Sequence, residues 1–132
     1  MKKRILYFLL LAGILASCSN DDEKDMEVGN DLNGKWEMTS YVAFLPSLPE
    51  INSNEIEWTF DVGNNQLSIV NTIESEYPYM LTSGTYINLT ITDNTITISD
   101  VEYDYTIENG MLSISDNPEM DGPIMRFISD QN

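Results

Sequence analysis

From residue 34 onward, apolar and polar side chains alternate with a period of two, and this alternation limits the fold more than any other feature of the chain. Ile56, Trp58, Phe60 and Val62 fall on one side of a run whose other side carries Glu55, Glu57, Thr59 and Asp61. Val101, Tyr103, Tyr105 and Ile107 stand in the same way against Glu102, Asp104 and Thr106. Successive side chains of a strand point to opposite faces, so each run reads as a half-buried β-strand. The same pattern, bounded by turn-forming residues, predicts eight strands at 36–44, 55–62, 66–74, 84–92, 95–99, 101–107, 111–115 and 124–128. No stretch carries a helical stripe longer than a turn or two, and the expected domain is all-β.

The connections predict how the strands are joined. Gly63-Asn64-Asn65, Asp93-Asn94 and Glu108-Asn109-Gly110 have the chemistry of tight hairpins. Longer links at 45–54, 75–83 and 116–123 contain Pro46, Pro49, Pro78 and Pro118, and only the link at Asp100 is short among these. In an up-and-down meander, successive links alternate between the two ends of the sheet. One end is therefore tightly turned and the other carries the long loops, as a barrel with a closed base and an open mouth requires. The expected fold is a small eight-stranded antiparallel up-and-down barrel, wide enough for its own side chains or one small ligand.

Composition removes several function classes. There is no histidine and a single cysteine, Cys18. His-based triads, Cys-His pairs and the usual zinc sites are excluded, and no disulfide can form within the chain. Paired carboxylates are sufficient for glycoside hydrolysis. Here, however, Glu55, Glu57, Asp61, Asp100, Glu102 and Asp104 alternate outward on strands, as a solvated face does. Asp116, Glu119 and Asp121 share one loop and offer oxygen ligands for calcium, but not at EF-hand spacing. The expectation is a protein that is not an enzyme, with no cofactor and no resident metal. Asn88-Leu89-Thr90 fits the glycosylation acceptor pattern but falls within a predicted strand.

The first residues set the location. Lys2, Lys3 and Arg4 precede an apolar run from Ile5 to Ala16, shorter than the roughly 20 residues a spanning helix needs and laid out as a secretory signal. Leu15-Ala16-Ser17-Cys18 resembles the lipobox of bacterial lipoproteins. The resemblance implies removal of residues 1–17, diacylation of the Cys18 sulfur and acylation of the new amino terminus, which anchors the chain in a membrane. Residues 18–32 follow as an acidic, flexible tether. Ser19 with Asp21, Asp22 and Glu23 resembles the surface-export signal of Bacteroidetes lipoproteins, with Asn20 interrupting its tightest form. The implied location is the outer membrane, with exposure at the cell surface; a plain spacer would serve equally on the periplasmic face. After cleavage Lys24, Lys35 and Arg126 stand against 22 acidic residues, a formal charge of −19 against −16 for the whole chain. Such a surface disfavours nucleic acid and anionic lipid as partners.

The folded domain is expected over residues 33–132. At its start, Leu32-Asn33-Gly34-Lys35-Trp36 resembles the G-x-W signature of lipocalins and related calycin barrels. In that family the tryptophan lies at the closed base beneath a late basic residue, which the resemblance assigns to Gly34, Trp36 and Arg126. The domain is short for a full lipocalin and is most similar to small lipocalin-like lipoprotein domains of Bacteroidetes. The resemblance implies a small apolar or amphipathic ligand inside the barrel, with Trp58, Phe60, Tyr103 and Tyr105 on inward faces. Phe44, Leu48, Tyr77 and Tyr79 would contact it from the loops, where such apolar density calls for something to cover it. The competing expectation is a filled barrel, in which these residues are core and the domain is a structural or interaction module that docks a protein or glycan.

Overall fold

In a computed structural model, residues 30–44, 50–74 and 80–130 are described. They hold β1 (Gly34–Val42), β2 (Ile56–Asp61), β3 (Gln66–Asn71), β4 (Gly84–Ile87), β5 (Thr90–Ile91), β6 (Thr95–Ile98), β7 (Val101–Glu108), β8 (Met111–Ser115) and β9 (Ile124–Ser129). Among the described residues there is no α-helix, only short 3-10 turns at Asn30–Leu32, Val62–Asn64 and Pro118–Met120. The all-β reading therefore holds. The leader, Cys18 and most of the tether lie outside the described residues, as do Leu48, Tyr77 and Tyr79.

All nine strands form one antiparallel sheet in the order β4-β3-β2-β1-β9-β8-β7-β6-β5. The first and last strands are paired at its centre, with Trp36 opposite Ser129 and Met38 opposite Phe127. The sheet is curled, as its connectivity requires. Laid flat at about 4.8 Å per strand, its outer strands would stand about 38 Å apart. Yet β4 and β5 are joined only by Asn88 and Leu89, a span of about 11 Å at full stretch.

This junction also explains why there are nine strands where the sequence predicts eight. Asn88 adopts a left-handed conformation, φ 59°, and breaks the predicted strand 84–92 into β4 and β5. The first half pairs with β3 and the second with β6. Leu89 turns into the core, its N–H donating to the Asn65 carbonyl at 3.0 Å.

The tight turns form where expected. Asn109 and Gly110 both have positive φ, 52° and 76°, the two-residue turn that matches strand twist. Ser99 and Asp100 do the same at 49° and 68°, without a glycine. In the 116–123 loop, a Cβ on Gly122 would meet the Asp116 carbonyl oxygen at 1.6 Å, so no side chain fits there.

At the tight-turn end the chain start folds under the sheet. Leu32 is 0% exposed, and its carbonyl accepts the Trp36 Nε1–H at 2.8 Å. Asn33 Oδ1 accepts the Val62 N–H at 3.0 Å. Gly34 has φ 117°, a conformation that side chains resist, which gives the glycine of the G-x-W motif its physical reason. Leu32, assigned from sequence to the tether, thus belongs to the core, and the folded region begins earlier than residue 33. On the outer wall Lys35 Nζ bridges Glu57 at 2.6 Å and Asp130 at 3.4 Å.

Candidate functional site

The inward faces supply the first candidate. Trp58, Phe60, Tyr103 and Tyr105 are all buried and point inward, as their alternation predicts. Trp58 is 1% exposed and packs its ring on Phe127, with centroids 4.9 Å apart, and on Phe60 at 6.1 Å. Met38, Ile69, Ile96, Ile98, Leu112, Ile114 and Met125 complete one continuous apolar cluster with them. One polar atom within it lacks a partner: Trp58 Nε1 is buried and makes no hydrogen bond.

Towards the long-loop end the interior becomes more polar. Tyr41 reaches it because of a β-bulge. Between Met38 and Ser40 the register with β9 shifts, leaving Thr39 as the extra residue, its hydroxyl donating to the Arg126 carbonyl at 3.2 Å. Unbroken alternation from Trp36 would bring Ser40, Val42 and Phe44 inside. The bulge instead turns Tyr41 inward and leaves Val42 and Phe44 43% and 84% exposed. Phe44, expected as a ligand contact, is therefore an exposed rim residue.

Asn71, the buried polar residue here, is fully engaged in shaping a loop. Its Nδ2 donates to the Leu81 carbonyl, its Oδ1 accepts from the Ile73 N–H, and its backbone exchanges two hydrogen bonds with the Ser83 hydroxyl. At the tight-turn end Tyr105 is spent on structure in the same way, its hydroxyl donating to the Thr92 carbonyl at 2.7 Å.

Burial raises the hydroxyl pKa of Tyr41, Tyr103 and Tyr105 above the usual value near 10, and the negative charge of Asp116 adds to the first two, that of Asp93 to the third. Each hydroxyl is neutral in the folded protein at a pH where the unfolded chain already releases its proton. The unfolded state then binds fewer protons, so stability falls as pH rises above about 10. Thermal melts followed by circular dichroism should show this loss beginning near pH 10, and the Tyr41→Phe, Tyr103→Phe double variant should lose less over the same range. An identical alkaline profile in that variant would contradict the assignment.

Arg126 does not take the place the lipocalin resemblance gives it. It lies exposed on the outward face of β9, opposite Ser40 and Ser113, while Trp36 lies on the inward face opposite Ser129. A residue on the other side of the sheet cannot cover the Trp36 ring. Trp36 is capped instead by the backbone of Leu32.

A groove of about 230 Å³ lies on the outer wall of β7 and β8, lined by Thr106, Glu108, Asn109, Met111 and Ser113. Its lining residues face away from the core. Among the described residues no group of three or more His, Cys, Asp or Glu side chains comes together to hold a metal ion, so Asp116, Glu119 and Asp121 share a loop but not a cluster. No described helix is long and apolar enough to cross a membrane.

Sequence reasoning missed Phe127, Tyr41 and Leu32. Phe127 sits in Ile124-Met125-Arg126-Phe127-Ile128, where both parities are apolar and alternation gives no preference. Tyr41 has no signal in the sequence, since only the register with β9 reveals the bulge. In comparisons with known proteins, no family model, no curated protein and no solved structure matches the chain.

Proposed function

We propose that this chain is an outer-membrane lipoprotein, anchored through acyl groups on Cys18, whose folded domain is a non-catalytic interaction module built on a lipocalin-like barrel. The observation that carries the reading is the packing of the inward side chains. Trp58, Phe60 and Phe127 occupy the centre, and Leu32 seals the tight-turn end. A domain whose interior is occupied in this way presents its surface to partners. The barrel reading is supported by counting β4 and β5 as one bent strand, which restores eight, with the first and last strands paired. The positive φ of Gly34 and the burial of Trp36 at the tight-turn end support the likeness, whereas the position of Arg126 speaks against it. The acidic wall and the tether that separates it from the bilayer suit an envelope protein that meets other macromolecules rather than the lipid surface.

A second reading is favoured by Trp58 Nε1. A buried N–H without an acceptor costs about 1–3 kcal/mol, and the carbonyl or hydroxyl of a small amphipathic ligand would relieve that cost. Native mass spectrometry of the full lipoprotein, released in detergent from its own host, separates the two. The expected mass is that of residues 18–132 with acyl groups and nothing further. A retained small molecule would overturn the filled-barrel reading in favour of the second, and a mass that still includes residues 1–17 would sink the lipoprotein assignment.

A further inference from the structure

The rim at the long-loop end exposes apolar side chains that nothing in the described domain covers. Phe44, just past β1, is 84% exposed, and Met120, at the tip of the 116–123 loop, is 79% exposed. The pairing of β1 with β9, Val42 opposite Ile124, places these two loops side by side, and Val42 adds exposed apolar surface between them. Val101, at the start of β7 and on its inward face, is 40% exposed at the same end, next to the turn at Ser99 and Asp100. Single exposed apolar residues are ordinary, but several on one arc of rim mark a contact surface.

The loops of this arc carry acidic charge. Asp116, Glu119 and Asp121 lie in the Met120 loop, Asp100 beside Val101 and Glu50 beyond Phe44. Of the described cations, Lys35 is held by Glu57 and Asp130 at the opposite end, while Arg126 stands on the outward face of β9 two residues along from Ile124, a single positive charge near Val42 against five acidic side chains. A second copy would set the same acidic loops against each other, and an anionic lipid surface would be repelled. The charge complement of the rim is cationic.

We propose that this rim, with Phe44 and Met120 as its apolar tips and Asp100, Asp116, Glu119 and Asp121 around them, docks a protein partner whose own apolar groove is bordered by lysine and arginine. The inference rests on the interaction-module reading and adds to it the surface used and the chemistry of the partner. Burial of the two tips supplies affinity, and the acidic border sets orientation and association rate.

The test uses the full lipoprotein in intact host cells, with a photo-reactive benzoylphenylalanine placed in turn at positions 44, 120 and 111, the last on the outer wall. Cross-linked peptides are then identified by mass spectrometry. The expected result is one and the same protein captured from 44 and 120, through a segment rich in Lys and Arg beside apolar residues, and not from 111. Neutralising the border with Glu119→Gln and Asp121→Asn should lower the yield at least roughly threefold, with the circular dichroism spectrum unchanged. Cross-links to lipid, to a second copy of this chain or to an acidic segment would overturn the proposal. Capture from position 111 but not from the rim overturns the rim while keeping the interaction module. No cross-link at any position, together with a small molecule retained in native mass spectrometry, overturns the module itself.

Discussion

Trp58→Ala is expected to remove about 3–5 kcal/mol of stability, the usual cost of deleting a large buried aromatic whose neighbours cannot close the gap. Trp58 lies between Phe60 and Phe127, is paired across strands with Trp36 and Ile69, and has 1% of its surface exposed. Its neighbours belong to different strands of a curled sheet held by ladders on both sides, so the backbone has little freedom to collapse inward. Domains of this size are stable by about 5–15 kcal/mol, and the loss would take a large share of that margin. Urea titration followed by Trp36 fluorescence would measure it, since Trp36 and Trp58 are the two tryptophans of the chain.

Trp58→Phe provides the informative contrast. It retains an aromatic ring in the same place and removes the N–H that lacks an acceptor. Relief of that buried donor offsets part of the lost volume, so the expected cost is only about 1 kcal/mol. If Phe costs as much as Ala, the N–H has an acceptor in solution, and the centre of the domain is not closed as described. If Ala costs less than about 1 kcal/mol, the site is not core.

Leu32→Ala is expected to cost about 2–5 kcal/mol, unusual for a residue only two positions ahead of the first strand. The side chain is fully buried at the tight-turn end, and the carbonyl of the same residue receives the Trp36 indole N–H. The substitution removes the plug while leaving that backbone acceptor in place. A loss near the upper end of the range therefore means that Trp36 has shifted as well, which a change in its emission would report. Asn33→Ala should be the milder variant, because it removes one exposed hydrogen bond to the Val62 N–H. Equal stability of Leu32→Ala and the parent in urea would show that the chain before β1 is only a leash.

Much of the framework was legible from the sequence because strand alternation and turn chemistry are local. Ile56, Trp58 and Phe60 declare their buried face within six residues, and Asn109-Gly110 specifies its turn within two, since only such residues adopt positive φ cheaply. Gly34 is legible for the same reason. What the sequence could not state are features that depend on a partner strand. The Thr39 bulge exists only in the register of β1 with β9, and it decides that Tyr41 faces inward while Val42 and Phe44 face solvent. The break at Asn88 depends on the first half of the strand pairing with β3 and the second with β6. Arg126 and Trp36 fall on opposite faces because of the parity of their strands, a relation between residues ninety positions apart that no local pattern records. By itself the sequence determined that this is an antiparallel β-domain with one tightly turned end and no histidine. Tertiary structure alone decided which aromatic side chains fill its interior and which stand exposed on its rim, because a shift of one residue in register sends every following side chain to the other face of the sheet.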